Sequence, residues 1–303
     1  MISFERILSF RFPLLTGADV RAAQQALRRA GATLTADGVF GPATAEATLA
    51  FQRVHGLRID GVIGPATWTR LLREAPAAAT RPVWRAMLAP HLPRLTTPHS
   101  SGARHWMLGP DGVAVDGPGR RAGTPTAARA WAAHGPAMQR AAQALGVPVE
   151  LLLACACTES GGRADAVREE PGYLDDDSTP HRISPGLMQT LISTAREALA
   201  DPRIDRARLL DPETSLAAGG AYIRRQALGG RSPTGFDPPL VSIAYNAGSL
   251  RAANNPWALV QTRRGDGWHA DAFCGFFNDA FALFGAVPPD AATPSLFLLL
   301  RRQ

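Results

Sequence analysis

The chain contains no lysine; all 32 of its basic residues are arginine. A bias toward GC-rich codons accounts for that, so no function is attached to it. Cysteine is scarce, with three in all and no CxxC pair, which excludes a disulfide framework. Cys155 and Cys157 stand two apart in a helical stretch and point to different faces, and Cys274 is remote, so three buried free thiols are expected. Long apolar runs are absent, and Leu296–Leu300 is too short to cross a bilayer, so no integral membrane segment is expected. Met1–Pro13 lacks both an apolar core and a small-residue cleavage site, so no ordinary secretory signal is read there. The seven histidines form neither HExxH nor His-x-His, and His269-Ala-Asp271 is only a fragment of a metal site. No metal or other cofactor is expected.

What is present suits folded domains. The 303 residues are 46% hydrophobic and 19% charged, enough for one large core or two modest ones. The net charge of +6 favours a polyanionic partner such as nucleic acid, anionic membrane or acidic cell wall. No arginine cluster with interleaved aromatics marks a nucleic-acid stripe, so nucleic acid is not the expected partner.

A repeat announces the first domain. Asp37-Gly-Val-Phe-Gly-Pro-Ala-Thr44 is matched by Asp60-Gly-Val-Ile-Gly-Pro-Ala-Thr67. Each copy reads as a tight Asp-Gly turn, a buried apolar residue, then Gly-Pro opening a helix. Val20, Ala23 and Leu27 share one helical face, and Ala47, Ala50, Phe51 and Val54 fit another. Trp68, Leu71 and Leu72 begin a third helix. A small three-helix domain over residues 1–75 is predicted. Gly17-Ala-Asp-Val20, Gln25, the two repeats and Phe51-Gln52 resemble the peptidoglycan-binding-like domain of wall hydrolases. The resemblance implies binding of peptidoglycan without chemistry, with Asp37, Gly38, Asp60 and Gly61 as the candidate contact loops; a copy used only for packing is the alternative.

Residues 76–125 turn rich in proline, alanine, arginine and glycine, and read as a partly structured linker. Trp106–Leu108 and Val113–Val115 flank Gly-Pro-Asp-Gly as a small hairpin, and Trp84 and Trp106 would pack it onto a neighbour. From Thr126 the pattern is helical, and residues 126–303 are read as one larger α-helical domain. The whole is therefore mainly α, and a monomer is expected. Met138, Ala141, Ala142 and Leu145 line one face. Leu151–Cys157 is apolar all round, which marks a buried central helix stopped by Gly161-Gly162. Glu159 stands at its end. Lost hydration and the negative end of the helix dipole both favour the protonated carboxyl there, as a general acid requires.

Four motifs follow in order: Glu159-Ser-Gly, Gly186-Leu-Met-Gln189, Asp211-Pro leading to Gly219-Gly-Ala-Tyr222, and Ala244-Tyr-Asn-Ala-Gly248. Over residues 135–250 this order resembles the soluble lytic transglycosylase and goose-type lysozyme superfamily. The resemblance makes Glu159 the acid that protonates the bond between N-acetylmuramic acid and N-acetylglucosamine. It places Ser184, Gly186, Leu187, Met188 and Gln189 along the cleft wall, with Met188 against a sugar face. Tyr245 and Asn246 would stand opposite, toward the N-acetyl group or Glu159. Core roles for Met188 and Tyr245 are the alternatives. Trp257, Trp268, Phe273, Phe276, Phe277 and Phe281 read mainly as core, with some available to the cleft.

The fate of the cleaved bond stays open. Inverting hydrolysis needs a second carboxylate. Glu169-Glu-Pro-Gly-Tyr-Leu-Asp-Asp-Asp177 offers Glu170, Asp175, Asp176 and Asp177, which tips the expectation toward a muramidase. Without a base, the substrate's own N-acetyl group and a sugar hydroxyl would give a 1,6-anhydro end. A zinc peptidase and a non-catalytic wall-binding or phage structural protein are the rival classes. The domain order resembles endolysins, which implies synthesis in the cytoplasm and release onto the wall during host-cell lysis.

Overall fold

Each Asp-Gly turn of the first repeat domain is closed by a glutamine reaching back from the preceding helix. The structure, a computed structural model, describes residues 6–73, 83–251, 255–259, 263–264 and 267–301. It divides into two units, residues 1–80 and 81–303. In the first, α1 (Ala18–Arg29), α2 (Pro42–Val54) and α3 (Pro65–Arg73) enclose Val20, Leu27, Phe40, Phe51, Ile63 and Trp68. Gln24 of α1 donates to Asp37 Oδ1, the Val39 carbonyl and Thr44 Oγ1, and accepts from the Gly38 amide. Gln52 of α2 repeats the pattern with Asp60 Oδ1, the Val62 carbonyl, Thr67 Oγ1 and the Gly61 amide.

This bonding corrects the expected buried face of α2. The buried face of α2 is Thr44, Thr48, Phe51 and Gln52, whereas Val54 is 78% exposed. The helix is rotated from its most apolar face because two polar side chains are needed inside to satisfy the turns. Gln24 is the buried glutamine of α1, and its neighbour Gln25 is exposed. Asp37, Gly38, Asp60 and Gly61 are the scaffold of the turns: both glycines have positive φ, and one oxygen of each aspartate is held by a glutamine. Gln52→Ala leaves the buried Gly61 amide and the half-buried Asp60 amide without their acceptor, and should destabilise the first unit by about 2–4 kcal/mol. Calorimetry of the full chain reads this as an earlier first transition; an unmoved transition would remove the role given to Gln52.

The second unit begins earlier than the expected linker allows. α4 (Val83–Leu88), α5 (Leu92–Leu95) and a three-stranded antiparallel sheet of β1 (His99–Ser101), β2 (Arg104–Gly109) and β3 (Gly112–Val115) belong to it. The predicted hairpin is β2–β3, with Trp106 opposite Val115 and Leu108 opposite Val113. Trp84, Leu88, Leu92, Leu95, Trp106, Leu108 and Val113 enter the main core, so the linker reading fails for residues 83–115; residues 76–82 lie outside the described residues. The apolar positions were there to be read, but they are spread among prolines and glycines that break their periodicity. Asp237, buried behind the sheet, accepts from Trp106 Nε1 at 3.0 Å, and burial pushes its carboxyl up to about 6.

The remaining elements are α6 (Thr126–Leu145), α7 (Val149–Ser160), β4 (Val167–Glu169), β5 (Ile183–Pro185), α8 (Ile192–Leu199), α9 (Arg206–Leu210), α10 (Pro212–Leu228), α11 (Pro238–Ala247), β6 (Arg263–Arg264), β7 (Gly267–Trp268), α12 (His269–Ala286) and α13 (Leu296–Leu300). α7 is central, packed by α6 and α12 with α10 and α11 beside them. From Val149 to Thr158 every residue of α7 is buried, so the helix has no polar face to show water. Glu150 at its start caps α13, accepting from the Leu296 and Phe297 amides and from Ser295. Cys155, Cys157 and Cys274 are buried free thiols.

Candidate active site

Glu159 is the point at which the buried helix reaches a cleft. Gly161 and Gly162, with φ of 66° and 78°, end α7 and return their amides to Cys157 and Ala156. The helix therefore stops at Ser160, one residue after Glu159, which projects its carboxyl with 11% side-chain exposure. The cleft it enters has a volume of about 520 Å³. Thr158, Arg163, Arg168, Gln189, Ala272 and Phe276 are among its lining residues, and Glu159 is its one carboxylate among the described residues. Oε1 of Glu159 lies 2.7 Å from Nε2 of His269, whose Nδ1 lies 2.9 Å from Ser242 Oγ.

The Gly186–Gln189 segment supports this helix end with its backbone. Ser160 Oγ donates to the Leu187 carbonyl at 2.7 Å, and Tyr245 Oη donates to the Met188 carbonyl at 2.9 Å. Tyr245 Oη also pairs with Thr190 Oγ1 at 2.8 Å. Ser215 Oγ accepts from the Met188 amide. Gln189, at φ 49°, ties its side-chain amide to the Ala166 and Gly186 carbonyls and borders the cleft.

Several expected cleft residues are elsewhere. Leu187 and Met188 are fully buried, and Ser184 is buried in β5 opposite Arg168. Met188 is turned inward: its side chain fills the notch that Gly219 leaves on α10, where any Cβ would stand 2.7 Å from Met188 Cβ. Gly186 acts through its backbone, because a Cβ there would collide with the Leu209 carbonyl. Tyr245 braces the Met188 turn from α11, and burial pushes its phenol well up. Asn246 is half-buried beside it. Of the aromatics, Phe273, Phe277, Phe281 and Trp257 are core, Phe276 borders the cleft, and Trp268 is 37% exposed at the start of α12.

The acidic stretch is consumed by its own fold. Asp176 is held by Arg206 and by Tyr173 Oη, and the guanidinium keeps its carboxyl below the usual carboxylate range. Asp175 accepts from the Asp177 and Ser178 amides, closing a turn. Glu170 pairs with Arg168 at 3.0 Å, and Asp177, 95% exposed, lies 3.7 Å from Arg196. None of the four candidate bases borders the cleft of Glu159. The base expected in this run is thus not among the residues that line the cleft: Arg206 and Arg196 reach the run from α9 and α8, and Arg168 pairs with Glu170 from β4 just before it.

Residues 16–71 match the family model of the peptidoglycan binding domain, and residues 136–258 match that of the transglycosylase SLT domain. The chain joins a peptidoglycan-binding domain to an SLT domain. The SLT match takes in α7, the Gly186–Gln189 segment and α11, and ends before α12. An uncharacterised protein of Kitasatospora aureofaciens is 46% identical over 48 residues, 16% of this chain and 40% of that protein. A zinc D-Ala-D-Ala carboxypeptidase of Streptomyces albus G is 51% identical over 41 residues, 14% of this chain and 16% of that enzyme. The chain thus spans less than half the length of these curated relatives. Among solved structures, the lytic transglycosylase Slt of Pseudomonas aeruginosa aligns at 18% identity and a TM-score of 0.36, over 53% of this chain and 25% of that one. The Burkholderia AP3 phage endolysin aligns at 18% identity and 0.28, over 92% of this chain and all of that one. His269, the nearest partner of Glu159, lies outside the residues that the SLT model matches, and no motif had singled it out for this role. The one signal was the pairing of a histidine with a helix start, which reads equally as a cap.

Proposed function

We propose that the SLT domain is a peptidoglycan lytic transglycosylase with Glu159 as its acid, rather than the hydrolytic muramidase that the acidic stretch suggested. The observation that carries this reading is the single carboxylate of the cleft. An inverting hydrolase needs a second carboxylate across the sugar to activate water, roughly 6.5–9.5 Å from the first. With one carboxyl group, the same residue must serve both halves of the reaction. Glu159 gives its proton to the oxygen linking N-acetylmuramic acid to N-acetylglucosamine. As that bond breaks, the N-acetyl oxygen of the muramic acid takes up C1. The C6 hydroxyl then closes on C1 and returns its proton to the Glu159 carboxylate. No water is consumed, and the enzyme ends as it began.

Arg163 and Arg168 on the cleft suit the carboxylates of peptide stems. The peptidoglycan-binding domain supplies local concentration on an insoluble polymer, where a tethered second contact raises occupancy without new chemistry. An endolysin role at the cell wall is part of the same proposal, supported by the order of binding domain before catalytic domain. Mass spectrometry of fragments released from purified sacculi tests the reaction. Muramic acid ends one water lighter than the hydrolytic product are expected; reducing muramic acid ends throughout would make the enzyme a muramidase, and no fragments at all a binding protein.

A further inference from the structure

Glu159 is met from beneath by a residue of another helix. His269 opens α12, is 1% exposed, and places Nε2 against Oε1 of the acid. Ser242 of α11, itself fully buried, stands against the other ring nitrogen. Three elements, α7, α11 and α12, thus contribute one hydrogen-bonded chain that ends at the cleft, and only its last member faces substrate.

We propose that His269 is the positioning residue of the acid: Ser242 donates its hydroxyl proton to Nδ1, Nε2 keeps its hydrogen and gives it to Oε1, and the acid proton is confined to Oε2. This rests on Glu159 being the acid. A carboxylic acid has two oxygens and one proton, and a proton on Oε1 would face the protein and be useless. An imidazole tautomer is set by the bond at its other nitrogen, and the Ser242 hydroxyl is the group that sets it here. When Oε2 gives its proton to the glycosidic oxygen, the Nε2–H bond gains an ionic acceptor and strengthens, stabilising the carboxylate as it forms. When the C6 hydroxyl returns a proton to Oε2, the bond relaxes. His269 neither gains nor loses a proton in the cycle.

The other ionisable groups around the pair are buried or already partnered. From α7, Cys155 has its thiol pushed well up by burial, and from α11 Tyr245 is raised in the same way. On α12, burial raises Cys274, and Asp271 is paired with Arg104 of β2. Asp237, which precedes α11, titrates at about 6 but is bonded to Trp106 and is common to every variant compared.

The test is kinetics on soluble glycan chains released from sacculi, as kcat, KM and pH profile, with circular dichroism to confirm folding. His269→Ala should lower kcat ~10–100-fold with KM little changed, as loss of alignment at a reacting group does. His269→Gln, whose amide can donate to Oε1, should recover most of that loss. Ser242→Ala should lower kcat in the same sense by a smaller factor, because Nδ1 loses the donor that fixes the tautomer. If His269→Ala does not fold, His269→Gln and Ser242→Ala carry the test. Parent-like kcat and pH profile in these variants, with Glu159→Gln inactive, would overturn the role of His269 while leaving the acid in place. An active Glu159→Gln enzyme would take down both readings.

Discussion

Glu159→Gln should bind purified sacculi as the parent does and release almost nothing from them. The substitution keeps shape and keeps an acceptor for His269 Nε2, which lies 2.7 Å from Oε1. It leaves α7 otherwise untouched, so folding and thermal stability should stay close to the parent. What it removes is the proton that, on the proposed mechanism, Glu159 gives to the glycosidic oxygen. A positioned general acid contributes ~10²–10⁴-fold, and no second carboxylate lines the cleft to substitute for it. Turbidity clearance should therefore fall by about three orders of magnitude, with sedimentation of the protein on sacculi unchanged. Clearance within tenfold of the parent would sink the assignment; loss of sedimentation would mean that the substitution had disturbed more than chemistry.

The parts of this molecule that were legible in the sequence are those whose partners are close in the chain. The Asp-Gly turns, the β2–β3 hairpin and the glycine stop after Glu159 are local, and all stand where their residues implied. So does the burial of α7, because a helix apolar all round has no other place to be. Chemistry between distant residues was not legible. Glu159 and His269 are 110 positions apart, and a histidine at a helix start has many ordinary uses. Polar residues that serve the interior misled in both directions. Thr44 and Gln52 disguised the buried face of α2, and the acidic stretch offered a base that Arg206, Arg168 and Arg196 had already claimed. Met188, expected against a sugar face, is buried instead, because the notch that receives it belongs to Gly219, on another helix.

Gly186→Ala is the substitution expected to cost the fold most. At φ 84° the residue sits where side chains are disfavoured, and a Cβ would stand 1.8 Å from the Leu209 carbonyl oxygen. The obstacle is backbone at the end of α9, not the free end of a side chain, so relief requires β5 or α9 to move. β5 leads directly into the Leu187 and Met188 carbonyls that hold Ser160 and Tyr245. Gly161→Ala separates the two penalties: its φ of 66° is equally left-handed, but nothing lies within 4 Å of the added carbon. That variant should lose only about 1 kcal/mol, the ordinary cost of a left-handed alanine. Gly186→Ala should lose about 3–5 kcal/mol, the conformational cost plus overpacking against an unyielding neighbour. For a unit of this size that is a fall in Tm of roughly 10 °C or more, and activity should fall with it as the support beneath Glu159 shifts. Equal transitions for the two alanine variants would show that α9 yields freely, and that the close approach at Gly186 does not hold the site in place.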